Sequence, residues 1–179
     1  MRELNLRQLQ PDDDVSDFRV GPEKYRPLEV FLVQAAKRFH KRNLARTYVL
    51  GADRRQIVAY LTLVCGEVEL QAGKSPAAEH DKSYRYKSYP AVKIARLAVD
   101  ERYRGKALGK MLVTLALGIA KDQVCPAVGC RFVTVDAKSD AVKFYERLGF
   151  SFLETEQNRQ RSEPILFVDL YKAVPEASA

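Results

Sequence analysis

The stretch DERYRGKALGKML, residues 100–112, combines residue types that could hold an anionic group. Gly105 and Gly109 lie where glycine weakens a helix, so we expect both to serve a ligand, each with a φ value that other residues avoid. A helix N-terminus also offers unpaired N–H groups and the positive end of the helix dipole. Four cations are expected to add positive charge around this site: Arg102, Arg104, Lys106 and Lys110. The pattern indicates a loop that binds a pyrophosphate group.

Two well-known phosphate loops do not fit this stretch. A Walker A loop has four residues between its glycines, followed by Gly-Lys-Ser/Thr, whereas three residues separate Gly105 from Gly109 and Met111 follows Lys110. A Rossmann fingerprint needs a further glycine where this chain has Ala107. The remaining alternative is that Gly105 only begins a helix.

Length and composition are typical of one cytosolic domain. The 179 residues are 46% hydrophobic and 30% charged, an ordinary globular balance. The opening residues MRELNLRQLQ contain no apolar signal core, and no apolar run has the length of a membrane span. We therefore expect a cytoplasmic protein that does not bind membranes. Three cysteines and two histidines predict reduced thiols and no metal site.

The chain is basic, with a net charge of +7 and a pI of about 9.3. This balance favours an anionic partner such as a nucleotide, a nucleic acid or an acidic protein. Many soluble domains are equally basic, so the charge alone leaves the partner open.

The order of the predicted elements indicates a mixed α/β fold. Residue patterns predict strands at 4–9, 46–52, 56–70, 92–99 and 131–137, and in FSFLET and ILFVDLYK. Three- and four-residue spacing predicts helices over 28–42, 107–121 and 140–148. Ser139 is expected to cap the last helix and Gly149 to end it. Residues 46–70 are predicted to form an antiparallel hairpin, and 71–90 a long loop.

Residues 28–172 resemble the GNAT superfamily of acetyl-CoA-dependent N-acetyltransferases. The resemblance is carried, in the family's order, by ARLAVD, RYRGKALG and AVKFYERLGF. The family loop Arg/Gln-x-x-Gly-x-Gly/Ala reads here as RYRGKA. The resemblance implies a mixed, mostly antiparallel sheet of six to seven strands, splayed between 92–99 and 131–137 and flanked by about four helices. It also implies a single domain over 1–173, with 174–179 as a disordered tail.

The resemblance further implies that acetyl-CoA is the co-substrate and that no metal takes part. Its pantetheine arm would pair with the backbone at the end of the central strand, and its pyrophosphate would lie on the loop amides. The implied binding residues are Leu97, Ala98, Val99, Arg102, Arg104, Gly105, Lys106, Ala107, Leu108, Gly109 and Lys110. An amine would then attack the thioester directly.

Tyr145 matches the family tyrosine that lies near the CoA sulfur, so the resemblance implies that it is the general acid for the departing thiolate. A phenol keeps its proton at neutral pH and can give it to a thiolate. Alternatively, Tyr145 is a core aromatic on an apolar helix face. The general base is Glu67, Glu69 or a water, and both carboxylates are equally consistent with a solvated strand. Lys138 stands where many family members have Asn.

The stretches RTYVLGADRRQIVAYLTL, YPAVKIARLAVD and VDAKSDAVKFYERLGF look similar to the GNAT toxins of bacterial toxin–antitoxin pairs. Those toxins acetylate the amino group of aminoacyl-tRNA and pair with ribbon-helix-helix antitoxins. The segment KSYRYKSYP (82–90) interleaves cations with aromatics, which fits RNA. A second basic cluster fits RNA as well: Lys37, Arg38, Lys41 and Arg42. Both runs are equally consistent with solvated surface charge.

One segment departs from that toxin pattern. The toxins usually have Asp/Asn-Cys-Gly near the first helix, whereas FRVGPEKY (18–25) keeps only Phe18 and Gly21. We therefore predict an N-acetyltransferase of unspecified amine, with the aminoacyl-tRNA-acetylating toxin as the second hypothesis. A non-catalytic acetyl-CoA sensor is the alternative from another class. A homodimer is a family habit that the sequence does not test.

Overall fold

The computed structural model describes residues 4–51, 56–70 and 86–171. Its strands are β1 (Asn5–Gln8), β2 (Arg46–Gly51), β3 (Ile57–Glu69), β4 (Ser88–Val99), β5 (Phe132–Asp136), β6 (Ser151–Phe152) and β7 (Ile165–Asp169). They form one seven-stranded sheet in the order β1-β2-β3-β4-β5-β7-β6. The pairs β1–β2, β2–β3, β5–β7 and β6–β7 are antiparallel. The predicted mixed α/β fold and the 46–70 hairpin are confirmed, and the splay of the sheet stays a prediction.

The α-helices of the described ranges are α1 (Arg26–Gln34), α2 (Ala36–Lys41), α3 (Leu108–Ile119), α4 (Cys125–Val128), α5 (Val142–Glu146) and α6 (Glu156–Arg159). Short 3₁₀ turns cover Glu23–Tyr25, Glu101–Tyr103 and Ser139–Ala141, and a π-helical turn covers Ala120–Val124. Residues 71–85 of the loop predicted over 71–90, and the tail predicted over 174–179, lie outside the described residues.

The chain forms two compact units. The first comprises the chain up to Val64 together with Ile94–Ala116, and the second comprises Cys65–Lys93 and the chain from Leu117 onward. The glycine loop belongs to the first unit and Tyr145 to the second.

The core of the first unit is built around the aromatic ring of Tyr60, which is fully buried. Phe18 packs edge-on against this ring with centroids 5.5 Å apart. The Tyr60 hydroxyl donates a 2.7 Å hydrogen bond to the Leu28 carbonyl, so its polar end is paired as burial requires. This core connects α1 to the sheet and to residues 17–25, which are called the segment before α1.

The helix predicted over 28–42 is interrupted, which corrects that prediction. Ala35 leaves helical geometry with φ −123°, and α1 and α2 lie on either side of it. The amide of Ala35 still donates to Phe31 and the amide of Phe39 to Ala35, so the interruption is a local distortion of a continuous helical path. The helix also starts two residues earlier, with Pro27 in its first turn, where a missing N–H costs nothing.

Strand β4 begins at Ser88, four residues before the predicted start. Pro90 is the reason for the error, because a proline in a central strand removes a ladder hydrogen bond and argues against strand. Here the Pro90 carbonyl accepts a 2.9 Å bond from the Arg131 amide. Tyr89 is buried and packs edge-on against Phe132 at 5.6 Å. Packing by Tyr89 thus overrides the local signal from the proline.

Helix α3 continues through the π-helical turn into α4, so that Leu108–Val128 is one helical run of 21 residues. By length and composition alone this run could cross a membrane, which corrects the expectation that no apolar run is long enough. Leu112, Val113 and Ala116 are almost fully buried, while only 22% of the apolar window of this run is buried.

The second unit contains an element that the sequence analysis missed, the four-residue helix α6. Thr155 caps it by accepting a bond from the Asn158 amide. The side chain of Asn158, 1% exposed, donates to the carbonyls of Leu153 and Ile165 at 3.0 Å each and accepts from the Ile165 amide at 2.7 Å. One buried side chain therefore satisfies three backbone groups near β6 and β7.

Replacing Asn158 by Ala should lower the free energy of unfolding by about 2–4 kcal/mol, because three buried backbone groups lose their partner. Urea unfolding of purified protein measures this. The neighbouring exposed change Gln157→Ala is the control and should stay within about 0.5 kcal/mol of wild type. A loss of less than about 1 kcal/mol for Asn158→Ala would contradict the assigned role.

Candidate functional site

The glycine loop lies between β4 and α3, in the place predicted for it. Gly105 has φ +78° and Ala107 has φ +55°. A Cβ built on Gly105 would meet no atom within 4 Å, so the backbone there faces open space. Gly109 lies inside the first turn of α3 and is not among the described glycines with positive φ, so the prediction that it takes such a value is wrong. Ala107 carries the second left-handed conformation instead.

Six consecutive amides of this loop, those of residues 105–110, have no hydrogen-bond partner among the described residues. The helical ladder begins one residue later, where the Met111 amide donates to the Ala107 carbonyl at 3.2 Å. Unpaired N–H groups at the positive end of a helix form a site for phosphate oxygens. The residues from Gly105 to Lys110 can therefore bind an anion with main-chain atoms alone.

The four cations predicted around this loop differ in their contacts. Lys106 is exposed, with its ammonium 5.0 Å from the centre of the Tyr103 ring, and Lys110 is also exposed. Arg104 donates to the Val20 carbonyl, and its guanidinium lies 5.9 Å from the Tyr25 ring. Contacts therefore direct Arg104 toward the segment before α1.

Arg102 forms an ion pair with Asp100, a residue that the sequence analysis did not single out. Its Nε and Nη2 donate to the Asp100 carboxylate at 2.8 and 2.7 Å, and Nη2 also donates to the Asp17 carbonyl at 2.8 Å. The Asp100 hydrogen bond raises the pKa of the Arg102 guanidinium. No sequence signal marks Asp100, because an acidic residue before a turn is ordinarily exposed.

The end of β4 leads directly into the loop. Ala98 is buried in the core of the first unit together with Tyr60. Leu97 and Val99 are half-buried. These three residues were predicted to pair with a pantetheine arm through their backbone, which stays a prediction.

Tyr145 lies on α5 in the second unit, 6% exposed. Its ring packs edge-on against Phe144 and Phe150 at 5.0 and 5.3 Å. Helix α5 ends at Glu146, which corrects the helix predicted over 140–148; Gly149 follows with φ +89°, and the Phe150 amide donates to the Tyr145 carbonyl at 3.1 Å. The predicted cap is wrong, because Ser139 lies inside a 3₁₀ turn and its side chain caps neither that turn nor α5.

The Tyr145 hydroxyl is polar and uncommitted. Burial raises its pKa above the usual value of a phenol. No described residue hydrogen-bonds to it, and the described residues contain no buried side-chain oxygen without a partner, so this oxygen keeps a small accessible area although the residue is only 6% exposed. The ring is a core aromatic, and its hydroxyl is available to protonate a ligand.

The candidate general bases lie on β3. Glu67 and Glu69 are exposed on either side of the buried Val68, so alternation places both carboxylates on one face, as predicted. Glu67 lines an open groove of about 610 Å³ with Gly66, Tyr86, Lys87, Ser88, Tyr89 and Pro90. Lys138, at the position where Asn is common in the resembled family, pairs with Glu163 at 2.8 Å.

The basic cluster near α2 is only partly free. Lys37 donates to the carbonyls of Pro11 and Asp13 and thus fixes a loop. Arg38, Lys41 and Arg42 are exposed. Residues 30–51 contain five Lys and Arg residues and no acidic residue, so this part of the first unit is strongly positive. Residues 82–85 of KSYRYKSYP lie outside the described residues, while Tyr86 and Lys87 are exposed.

Among residues 4–51, 56–70 and 86–171, no group of three or more His, Cys, Asp or Glu side chains could hold a metal ion.

The family model "Acetyltransferase (GNAT) family" matches residues 12–150. A tRNA-acetylating toxin of Mycobacterium tuberculosis is 27% identical over 151 residues, 84% of this chain and 86% of that protein. AtaT complexed with acetyl-methionyl-tRNAfMet is similar in structure, with a TM-score of 0.81 and 29% identity over 94% of this chain and 96% of that chain. A mutant AtaT toxin bound to the C-terminus of the antitoxin AtaR and acetyl-CoA has a TM-score of 0.73 and 29% identity, covering 94% of each chain.

Substituting Gly105 by Ala should cost about 1–2 kcal/mol of unfolding free energy, because the added Cβ meets no neighbour but the left-handed φ is strained. The matched control is Gly118→Ala, a helical glycine whose Cβ also meets open space. That change should stabilise by up to about 1 kcal/mol. Urea unfolding of both variants separates the cost of the left-handed φ from the effect of the added methyl group. Equal effects of the same sign would contradict the left-handed conformation assigned to Gly105.

Proposed function

Because this chain belongs to the acetyltransferase (GNAT) family and is an acetyl-CoA-dependent N-acetyltransferase, we propose that its acceptor is the amino group of an aminoacyl-tRNA. The observation that carries the proposal is the likeness, over 94% of the chain, to AtaT complexed with acetyl-methionyl-tRNAfMet. This raises the second hypothesis of the sequence analysis above that of an unspecified amine.

Charge supports an RNA acceptor. The net charge is +7, and the acid-free stretch 30–51 places exposed Arg38, Lys41 and Arg42 at the end of α2. Clustered cations attract phosphates and contribute most of the sequence-independent affinity for nucleic acid.

The chemistry of the acceptor also favours an α-amino group. A primary amine attacks only when it is neutral, and α-amino groups have a pKa of about 8, against about 10.4 for lysine. A large share of an α-amino acceptor is therefore neutral at pH 7.5 without help. Glu67 and Glu69 are both exposed, so neither has the buried setting by which proteins tune a strong general base. An acceptor that needs no dedicated base fits this arrangement.

For the donor, we assign the diphosphate of acetyl-CoA to the amides of residues 105–110. Acetyl-CoA supplies the activated thioester, and this chain supplies main-chain donors that need no rearrangement to bind anionic oxygens. Exposed Lys106 and Lys110 would add charge to that site. The half-buried end of β4, at Leu97 and Val99, is assigned to the pantetheine arm through its backbone.

Tyr145 is proposed as the general acid. The amine nitrogen forms a bond to the acetyl carbon and the carbon–sulfur bond breaks. The nitrogen gives its surplus proton to water, the thiolate takes the phenolic proton, and the Tyr145 phenolate regains a proton from water. The raised pKa keeps Tyr145 protonated until the thiolate forms. No described residue competes for its hydroxyl proton.

We further propose that residues 1–173 act as one acetyltransferase domain that is soluble and cytoplasmic. The structure of the AtaT toxin with the C-terminus of AtaR supports an antitoxin partner for this chain as well. The ribbon-helix-helix fold of that antitoxin and a homodimer of the enzyme remain predictions.

Tyr145→Phe should lower kcat about 100-fold or more, the typical worth of a general acid. The KM for acetyl-CoA and the melting temperature should change little, because the lost hydroxyl has no protein partner. Initial rates of thiol release measure both constants. Tyr171→Phe, an exposed tyrosine of the same unit, is the control. An unchanged turnover in Tyr145→Phe would refute the acid role.

Transfer from labelled acetyl-CoA should occur to aminoacyl-tRNA and not to uncharged tRNA, free amino acids or polyamines. The label should precipitate with the RNA and be released by mild alkaline deacylation, because the acetylated amino acid is held by an ester. Induction of wild-type protein should stop growth, and induction of Tyr145→Phe should not. Label on small amines alone would overturn the tRNA proposal and leave the acetyltransferase assignment intact. Acetyl-CoA binding with no transfer to any amine would favour the sensor.

A further inference from the structure

The carboxylate of Asp100 is the most completely paired acidic group beside the glycine loop. Its side chain is fully buried. Oδ1 accepts from the Arg102 amide at 2.9 Å and from Arg102 Nε at 2.8 Å. Oδ2 accepts from Arg102 Nη2 at 2.7 Å and from the Arg19 amide at 3.1 Å. Both oxygens thus have two donors each.

Asp100 also connects three parts of the first unit through its backbone and its partners. Its own amide donates to the Val58 carbonyl on β3 at 2.9 Å, and the next amide, of Glu101, donates to the Arg19 carbonyl at 2.9 Å. Arg102, held by Asp100, reaches the Asp17 carbonyl. The start of the loop is therefore fixed to β3 and to the segment before α1.

Burial alone would raise the pKa of Asp100, but the hydrogen bonds from Arg102 and from two backbone amides outweigh it and hold the pKa below its usual value. The carboxylate is therefore ionised, and its charge is matched by Arg102. A carboxylate that is enclosed and fully paired has no oxygen left for a ligand, so its effect on the loop must act through the groups it holds.

We propose that Asp100 is a positioning residue for the diphosphate loop, and that Arg102 anchors this loop instead of contacting the diphosphate. The inference rests on the proposed donor role of residues 105–110. Asp100 sets where the 3₁₀ turn Glu101–Tyr103 begins, and this turn sets the path of the chain into Gly105.

The same unit contains a closely matched control. Asp13 is 2% exposed, accepts from Arg7 at 2.6 and 2.7 Å and accepts from the Gln10 amide at 2.7 Å. It therefore has the same construction, a buried carboxylate held by a forked arginine and a backbone amide. It holds residues 10–13, which precede the Asp17–Val20 stretch that contacts Asp100, Arg102 and Arg104.

The test compares binding of acetyl-CoA with that of S-acetylpantetheine, which lacks the diphosphate. In Asp100→Asn, an amide NH₂ would face donors from Arg102 or Arg19, so the loop should shift. The Kd of acetyl-CoA should rise about 10- to 100-fold, the worth of one or two charge-assisted hydrogen bonds. The Kd of S-acetylpantetheine should change less than about twofold, and kcat at saturating acetyl-CoA less than about threefold. Calorimetry and thiol release measure these quantities.

Asp13→Asn should lower the melting temperature about as much as Asp100→Asn does. It should leave the Kd of acetyl-CoA and the Kd of S-acetylpantetheine within about twofold of wild type. If Asp100→Asn weakens the binding of acetyl-CoA and of S-acetylpantetheine equally, or changes neither Kd, the positioning role is wrong. If wild-type protein itself does not prefer acetyl-CoA over S-acetylpantetheine, the proposed loop function fails, which is a separate result.

Arg102→Met provides a second route if Asp100→Asn does not fold, and it also tests the anchor role. It should weaken the binding of acetyl-CoA and not that of S-acetylpantetheine, as Asp100→Asn does. The double variant should bind acetyl-CoA no more weakly than the worse single variant, because the two residues act as one unit. Additive losses in the double variant would show that Arg102 contacts the diphosphate directly and would overturn the anchor role.

Discussion

The start of a helix leaves its first N–H groups without intrahelical partners, and this constraint organises the first unit. Residues 105–110 add to those groups by entering α3 through two left-handed residues, Gly105 and Ala107. The local cost of Ala107 is about 1–2 kcal/mol, since its Cβ crowds the following carbonyl. Such strain persists where the surroundings hold it, and here they are β4, Asp100 and the segment before α1.

The two proposed roles use opposite kinds of environment. The loop presents polar main-chain groups in open space, so it binds charge without burying any of its own. Tyr145 has its ring within an aromatic cluster, and its hydroxyl has no hydrogen-bond partner among the described residues. That arrangement fixes the direction of the hydroxyl through packing, because no hydrogen bond from the protein competes for it. Both roles therefore depend on rigid scaffolding rather than on adaptable side chains.

The sequence predicts the large periodic elements well and the local exceptions poorly. The hairpin of β2 and β3, the loop at Gly105 and the left-handed Gly149 after α5 reflect patterns that act over a few neighbouring residues. The interruption at Ala35 and the strand around Pro90 do not, because contacts from distant parts of the chain override local preference.

The same limit applies to the site. Arg102 and Arg104 were predicted to add positive charge around the loop, yet both donate hydrogen bonds to the segment before α1. Their partners there are 84 and 85 residues away in sequence, so no local pattern reveals them. Asp100 escaped notice for a related reason, since its burial depends on the same distant segment.

That distant segment makes its contacts in an unusual way. Asp17 and Val20 offer carbonyl oxygens, and Arg19 offers its amide, so their contribution is independent of side-chain identity. Side-chain identity does matter in other contacts: Phe18 and Val20 are 1% and 2% exposed in the core, the Arg104 guanidinium lies over the Tyr25 ring, and a Cβ on Gly21 would lie 2.5 Å from Glu101. FRVGPEKY shares only Phe18 and Gly21 with the toxin pattern. At Asp17 and Arg19 the bonds that hold the loop come from main-chain atoms, so a different side chain there leaves those bonds in place and does not by itself indicate lost activity.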